Sequence, residues 1–141
     1  MKFHYSLKST KNYNYNKEIF KSYPDPTYIA KLTKLNRPLL EVVTDTDELA
    51  ALAVMRKHER FMKLCLLIVD VRFRKYDLGN KLVRIVQSIF NDEWNAVDVL
   101  YTVCPHQFNT DNYQNVLIKN GFQVSTIKAN GDIVYTYAKS I

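Results

Sequence analysis

Glycine, cysteine and long apolar runs are all scarce in this chain of 141 residues, which contains three Gly, two Cys and one Trp. Two Cys and three His at scattered spacings form no zinc-binding pattern, so no metal site is predicted. No apolar stretch approaches membrane-spanning length, and the N-terminal segment lacks the apolar core of a secretion signal. We therefore predict a cytoplasmic protein without membrane association, with Cys65 as a buried thiol.

The composition is otherwise that of an ordinary globular protein. Apolar residues make up 47% of the chain and charged residues 24%, and the length suits one domain over residues 1–141. The net charge of +6 favours an anionic partner such as a nucleotide cofactor or a nucleic acid. The basic residues are spread along the chain, which is also what a solvated basic surface without a specific partner would show.

Residues 62–90 form the most informative stretch. An apolar run over 64–69 indicates a buried strand, and a basic loop follows at 72–77. Apolar residues then recur at helical spacing from Leu78 to Phe90, which predicts an amphipathic helix. A helix start presents unpaired backbone N–H groups and positive dipole charge. With Arg72, Arg74 and Lys75 beside it, this start is predicted to bind a phosphate.

The remaining patterns complete a mixed α/β order. Strands are predicted at 2–8, 39–44, 48–56, 61–71, 97–103, 122–127 and 133–138, and helices at 17–23, 27–35, 78–90 and 112–120. The strand–helix–strand unit over 62–103 implies one parallel strand pair. The predicted fold is a mostly antiparallel seven-stranded sheet with a parallel central pair and about four helices.

The loop over residues 69–80 resembles the signature of the GNAT superfamily of acyl-CoA-dependent N-acyltransferases. In that family an apolar strand ends near Asp-Pro, and Arg or Gln, two residues, Gly, one residue and Gly or Ala follow. Arg74 and Gly79 match this pattern, whereas Val71 replaces the proline and Asp77 replaces the first glycine.

A second match lies downstream. Lys-Asn-Gly-Phe at residues 119–122 is similar to the family's Lys-x-Gly-Phe, so two of the three glycines, Gly79 and Gly121, fall where the family places them. The resemblance covers residues 39–140 in element order and residues 1–38 loosely. It implies the GNAT-like fold described above.

The resemblance also implies acetyl-CoA as co-substrate. The family's loop wraps the CoA pyrophosphate with backbone N–H groups, and pantetheine pairs with backbone groups at the end of the preceding strand. An Asn near the start of the next helix contributes as well. The implied cofactor-binding residues are Val69, Val71, Arg74, Lys75, Tyr76, Asp77, Leu78, Gly79, Asn80, Asn109 and Asn112. Asp77 would repel a pyrophosphate, unless it faces solvent or caps the helix as its N-cap residue.

The catalytic residues are predicted less directly. A Tyr four residues before the Gly of Gly-Phe often serves the family, but Leu117 occupies that position here. Tyr113, one turn earlier on the same helix face, is the substitute candidate, with packing or capping as its structural alternative. Glu41 is the candidate general base, ahead of Glu48 beside a turn. A Cys104–His106 nucleophile pair is disfavoured, because proline separates the two residues and no third group orients them.

Three functions remain open. The first is an N-acetyltransferase acting on an unidentified primary amine. The second is a catalytically degenerate GNAT-fold binding or regulatory module, suggested by Leu117 and Asp77. The third, resting on the net charge alone, is acetylation of an RNA-linked amine. Residues 9–38, which set the acceptor in this family, carry no recognisable motif.

Overall fold

A computed structural model describes residues 1–21, 23–92, 98–108 and 110–138 of the chain. The strands of these segments are β1 Phe3–Ser9, β2 Pro38–Thr44, β3 Leu49–Lys57, β4 Phe61–Val69, β5 Val99–Cys104, β6 Gln123–Ile127 and β7 Ile133–Ala138. The helices are α1 Glu18–Lys21, α2 Pro26–Leu32, α3 Leu78–Asp92 and α4 Asp111–Lys119, together with a 3-10 helix at Val71–Tyr76. The predicted order of elements is confirmed.

The strands form one seven-stranded sheet in the order β1-β2-β3-β4-β5-β7-β6. β4 and β5 run parallel, and the remaining described ladders, β1–β2, β2–β3, β5–β7 and β6–β7, are antiparallel. The parallel ladder covers three residue pairs, from Phe61 with Val99 to Lys63 with Tyr101. β4 nevertheless continues to Val69 and β5 to Cys104. The predicted mixed sheet with a parallel pair is confirmed.

The chain divides into two compact units that alternate along the sequence. Unit 1 comprises Met1–Met55 and Leu66–Gly79, and unit 2 comprises Arg56–Cys65 and Asn80–Ile141. The single domain expected over 1–141 stays a prediction.

Unit 1 is built on β2 and β3, whose side chains are buried almost throughout. Residues such as Leu39 and Leu52 are completely inaccessible to solvent. In contrast, β1 forms one edge of the sheet and is exposed along most of its length, including the apolar residues Tyr5 and Leu7, which are 38% and 54% exposed. α2 begins at an N-cap, Asp25, whose carboxylate accepts a hydrogen bond from the Tyr28 N–H at 3.2 Å.

Unit 2 is built on the apolar stripe of α3 and the inward face of β5. Leu82, Val86 and Phe90 recur at helical spacing and are fully buried. Along β5 every second side chain is buried, and Leu100 is among those that are completely inaccessible. Gly121 follows α4 with φ +86°, a left-handed conformation that glycine adopts without a side-chain clash.

Two details differ from expectation. β4 ends at Val69 instead of continuing to residue 71, because Asp70 starts the 3-10 helix there. Cys65 is only half-buried, because alternate residues of β4 face away from the fully buried side of the strand. The predicted start of β5 at residue 97 lies outside the described residues.

Candidate functional site

The segment after β4 is a 3-10 helix, where an open basic loop was expected. The Asp70 carboxylate is its N-cap and accepts a hydrogen bond from the Arg72 N–H at 2.9 Å. The Asp70 N–H in turn donates to the Ala50 carbonyl at 2.8 Å, which ties the helix start to β3. The first helical residue, Val71, is 71% exposed.

Arg72 is committed to carboxylates within unit 1. Its guanidinium donates from Nε and Nη2 to Asp70 at 3.2 and 3.1 Å, and from Nη1 to Glu48 at 2.8 Å. The hydrogen bond from Arg72 is the main reason that the pKa of Asp70 lies below its ordinary value. The expectation that Arg72 helps to bind a phosphate is therefore not favoured, because its donors already serve two anions.

Arg74 and Lys75 are the other cations of the same 3-10 helix, and both are exposed. The Lys75 ammonium lies 5.2 Å from the centroid of the Tyr76 ring. The rings of Tyr76 and Phe73 pack edge-on against Phe3 of β1, with centroid distances of 5.1 and 6.1 Å. These aromatic contacts anchor the buried side of the helix and leave its two cations at the surface.

Asp77 ends the 3-10 helix in the left-handed conformation, with φ 60° and ψ 32°. Glycine is the natural residue for such a backbone, and Asp and Asn are the side chains that tolerate it best. This conformation explains how Asp77 stands at a glycine position of the family's loop. It differs from the extended backbone typical of an N-cap residue. The left-handed residue of this segment is thus Asp77, since Gly79 is already helical.

The first turn of α3 follows directly. Leu78 is completely buried, and the Asn80 side-chain oxygen accepts a hydrogen bond from Asn120 Nδ2 at 2.8 Å. The Asn80 side chain is thus part of a brace to the end of α4. Backbone N–H groups in the first turn of a helix have no intrahelical partner. Any anion site at this helix start would therefore depend on backbone donors.

In unit 2, a hydroxyl pair lies where the parallel ladder ends. Thr102 Oγ donates to the Leu64 carbonyl of β4 at 2.8 Å and lies 2.7 Å from the Tyr113 hydroxyl of α4. Because the single Thr102 proton is used on Leu64, Tyr113 must be the donor to Thr102. Thr102 is 1% exposed, so this pair fixes the phenol against β5.

Other predicted residues of α4 are placed differently. Leu117 is completely buried, so the position that carries Tyr in the family is a core position here. Asn112 is exposed in the first turn, whereas Asn109 lies outside the described residues. Thr110 makes no side-chain cap hydrogen bond, but its hydroxyl accepts from Gln114 Nε2 at 2.8 Å.

Cys104 and His106 do not form a nucleophile–base pair. Cys104 is 1% exposed, and burial raises the pKa of its thiol to about 11 despite a hydrogen bond with Thr110. His106 Nδ1 instead lies 2.7 Å from an Asp132 carboxylate oxygen. The sequence analysis did not predict this contact. The Asn130-Gly131 pair indicates a tight turn directly before Asp132, which was the only sign that this carboxylate is held in place.

Glu41, the candidate general base, lies in a polar cluster of unit 1. It is 4% exposed and accepts hydrogen bonds from the Tyr13 hydroxyl at 2.7 Å and the Ser6 hydroxyl at 3.2 Å, with Lys8 Nζ at 2.6 Å. Burial alone would raise the pKa of Glu41, but these donors together lower it. A carboxylate with a lowered pKa is a weak proton acceptor, which favours a structural role.

Neither a metal-binding cluster nor a membrane-spanning helix is found among the described residues. They contain no group of three or more His, Cys, Asp or Glu side chains able to hold a metal ion. No helix within residues 1–21, 23–92, 98–108 and 110–138 is long and apolar enough to cross a membrane.

No family model matches the chain, and no curated protein sequence matches it significantly. Similar solved structures exist. A protein described as a GNAT-family acetyltransferase from Desulfovibrio desulfuricans is 14% identical, with a TM-score of 0.74 over 96% of this chain and 99% of that one. The ribosomal-protein-S18-alanine N-acetyltransferase of Escherichia coli is 13% identical, with a TM-score of 0.71 over 98% and 96% of the two chains.

The N-acetyltransferase PseH of Campylobacter jejuni, in complex with acetyl coenzyme A, is 12% identical. Its TM-score is 0.67 over 97% of this chain and all of that chain (100%). The chain therefore has the fold of GNAT acetyltransferases along nearly its whole length.

Proposed function

We propose that this protein is an N-acetyltransferase that transfers the acetyl group of acetyl-CoA to a primary amine. The observation that carries the proposal is the segment from the 3-10 helix through Asp77 to the start of α3, in a chain with the GNAT fold. Asp77, which has a left-handed backbone, lies at a glycine position of the family's loop. The exposed Arg74 and Lys75 precede the start of α3. PseH, which has this fold, is described in complex with acetyl coenzyme A.

In this proposal the pyrophosphate is held by backbone N–H groups between Arg74 and Asn80, with Arg74 and Lys75 supplying positive charge. Successive N–H groups ahead of a helix form a concave anion site that needs no particular side chain. The backbone of Val69 and Val71 would pair with pantetheine. Asn112, in the first turn of α4, and Asn109, which lies outside the described residues, stay proposed cofactor-binding residues.

Transfer requires the amine nitrogen to attack the thioester carbonyl, so that a C–N bond forms and the C–S bond breaks. The amine loses a proton to a base, and the departing CoA thiolate needs one. Tyr113 is the proposed donor to the thiolate, and its proton would turn from Thr102 Oγ to the sulfur as the C–S bond breaks. Its phenol is held by Thr102, whose own proton is tied to Leu64 where the parallel ladder stops.

A binding or regulatory module without catalysis is the second candidate. The observation in its favour is that Leu117 is completely buried, which removes the family's usual phenol position. Glu41 as general base stays a prediction, and its three hydrogen-bond donors argue for a structural role.

Calorimetric titration with CoA and acetyl-CoA tests the proposal. We expect both ligands to bind wild type and to bind Gly79→Asp much more weakly, because a side chain and a charge then stand at the helix start. No binding at millimolar ligand would overturn the function. Binding without CoA release in the presence of any of a panel of primary amines would favour the second candidate.

Tyr113→Phe separates binding from chemistry. We expect unchanged acetyl-CoA affinity and a kcat lower by about 100-fold or more, because the proton donor is lost. An unchanged kcat would remove Tyr113 from the mechanism and leave the binding proposal intact.

A further inference from the structure

His106 and Asp132 form a dyad in unit 2, just beyond the end of β5. His106 Nδ1 lies 2.7 Å from Asp132 Oδ1, and the imidazole is 45% exposed whereas the carboxylate is 17% exposed. The ring is therefore held at Nδ1 by the carboxylate, while nearly half of the side chain stays exposed.

The carboxylate itself is firmly positioned. Asp132 Oδ2 accepts a hydrogen bond from Asn130 Nδ2 at 3.2 Å, and the Asp132 N–H donates to Asn130 Oδ1 at 3.0 Å. The Asp132 carbonyl accepts from the Lys128 N–H at 2.8 Å. The turn between β6 and β7 thus presents the carboxylate in one orientation.

Gly131 lets this turn approach the imidazole. Its φ is +96°, and a Cβ at this position would lie 3.3 Å from both Cβ and Cγ of His106. Any side chain would be strained by the backbone and would press on the ring. The third glycine of the chain is thereby explained by its contact with His106.

The geometry determines the tautomer of His106. The hydrogen bonds from His106 lower the pKa of Asp132, so the carboxyl is ionised at neutral pH and can only accept hydrogen bonds. Nδ1 must then carry the ring proton, which leaves the lone pair of the neutral imidazole on Nε2. An imidazole oriented by a carboxylate through Nδ1–H is the arrangement of a general base.

A loop brace alone would not need this histidine. The His106 backbone N–H already donates to Asp132 Oδ1 at 3.0 Å, and any residue except proline at position 106 could supply that bond. The imidazole contact is additional, and it engages Nδ1 while Nε2 is the ring nitrogen left outside the contact with Asp132. His106 lies four residues beyond Thr102, so the Cα atoms of the two residues are at most about 14 Å apart.

We propose that His106 Nε2 is the general base that removes the proton of the acceptor amine, with Asp132 as its positioning residue. This inference rests on the proposed acetyltransferase function. As the C–N bond forms and the C–S bond breaks, Nε2 takes the amine proton directly or through one water. The CoA thiolate takes the proton of Tyr113. The imidazolium then returns its proton to solvent, and the Tyr113 phenolate takes one back from solvent, so that both side chains are restored.

The test uses the full chain with acetyl-CoA as donor and two primary amines, spermidine and a short peptide with a free α-amino group, as acceptors. We expect His106→Gln and His106→Ala to lower kcat by about 100-fold or more with unchanged acetyl-CoA affinity by calorimetry. Free imidazole should restore part of the rate of His106→Ala, since it can enter the space and accept the proton.

His4→Gln is the matched control. His4 also faces a carboxylate, with Nε2 3.2 Å from Asp45, but this pair is exposed on β1 and the β2–β3 turn. We expect the acetyl-transfer rate of His4→Gln to equal that of wild type. Asp132→Asn should lower kcat by about 10-fold and shift the His106 ring proton from Nδ1 towards Nε2 in 15N NMR spectra, a change that a purely structural role would not produce.

The outcomes are separable. Full activity of both His106 variants, or a wild-type ring protonated on Nε2, would overturn the proposal while the acetyltransferase function stands. Wild-type protein that transfers no acetyl group to any amine would overturn the proposed function, and the role of His106 with it.

Discussion

Asp77 carries the most demanding backbone conformation near the candidate anion site. A left-handed φ costs most L-residues about 1–2 kcal/mol, and Asp and Asn reduce that cost by local hydrogen bonding. Asp77 therefore lowers the strain of the left-handed backbone, but it places a negative charge beside the proposed pyrophosphate. Charge and backbone can be tested separately at this residue.

We expect Asp77→Asn to bind CoA about fivefold more tightly than wild type without a change in melting temperature. Asparagine keeps the left-handed backbone and removes the charge, whose repulsion at 4 Å is worth about 1 kcal/mol in water. Calorimetric titration and thermal unfolding measure the two effects. Asp47→Asn is the control, because Asp47 has φ 64° in the β2–β3 turn. An unchanged CoA affinity of Asp77→Asn would show that the carboxylate points away from the ligand.

Glu41 is expected to make the stability of the protein depend on pH. Its folded-state pKa is lowered from the ordinary value of 4.5, so its ionised form stabilises the fold at neutral pH. That contribution is lost as the pH falls below 4.5 towards the lowered folded-state value. Glu41→Gln lacks the titrating group and so lacks this loss.

We expect wild type to exceed Glu41→Gln in unfolding free energy by about 1–3 kcal/mol at neutral pH. The difference should shrink as the pH is lowered below 4.5. Urea unfolding at a series of pH values measures it. Glu18→Gln removes an exposed pair with Lys21 and should change little at any pH. A difference that persists unchanged to low pH would contradict the ionic role of Glu41.

At the scale of elements, the 3-10 helix Val71–Tyr76 divides its cations between two tasks. All three cations are exposed, but Arg72 pairs with Asp70 and Glu48, and no such ion pair of Arg74 or Lys75 is seen among the described residues. The first cation thus stabilises the helix, and the other two are available to a ligand.

We expect Arg72→Gln to lower the unfolding free energy, because the nearly buried Asp70 carboxylate loses its charged partner. Arg74→Gln should leave stability unchanged but weaken CoA binding several-fold and reduce its dependence on salt concentration. Thermal unfolding and titration at two salt concentrations distinguish the variants. The reverse pattern would reassign Arg72 to the ligand.

Sequence patterns predicted the elements better than the contacts between them. The helix over 78–90 was legible because its apolar stripe repeats, and α3 indeed spans Leu78–Asp92. The 3-10 helix was not predicted, because it depends on the Asp70 cap and on packing of Phe73 against Phe3, far away in sequence. The contacts of Tyr113 with Thr102 and of His106 with Asp132 are likewise tertiary, and no local pattern records them.

At the scale of the whole molecule, the net charge of +6 favours a polyanionic ligand such as CoA. A ligand that binds only the folded state stabilises it in proportion to the logarithm of its concentration.

We expect CoA at about 100 times its dissociation constant to stabilise the protein by about 2.7 kcal/mol, a rise in melting temperature of roughly 5–10 °C. The rise should fall as salt is added. Pantetheine, which carries no phosphate, is the control ligand and should give a much smaller rise. Equal shifts from both ligands would argue against a site for the pyrophosphate.

The two thiols differ in a way that has a practical use. Cys65 is half-buried on β4, whereas Cys104 is 1% exposed and its thiol pKa is raised to about 11 by burial. Alkylating reagents attack the thiolate, so Cys65 should be labelled first in native protein. Labelling of Cys104 then requires β5 to open, and its rate reports how often that strand leaves the sheet. The wild-type protein can therefore carry a fluorophore on Cys65, and the labelling rate of Cys104 measures local unfolding of β5.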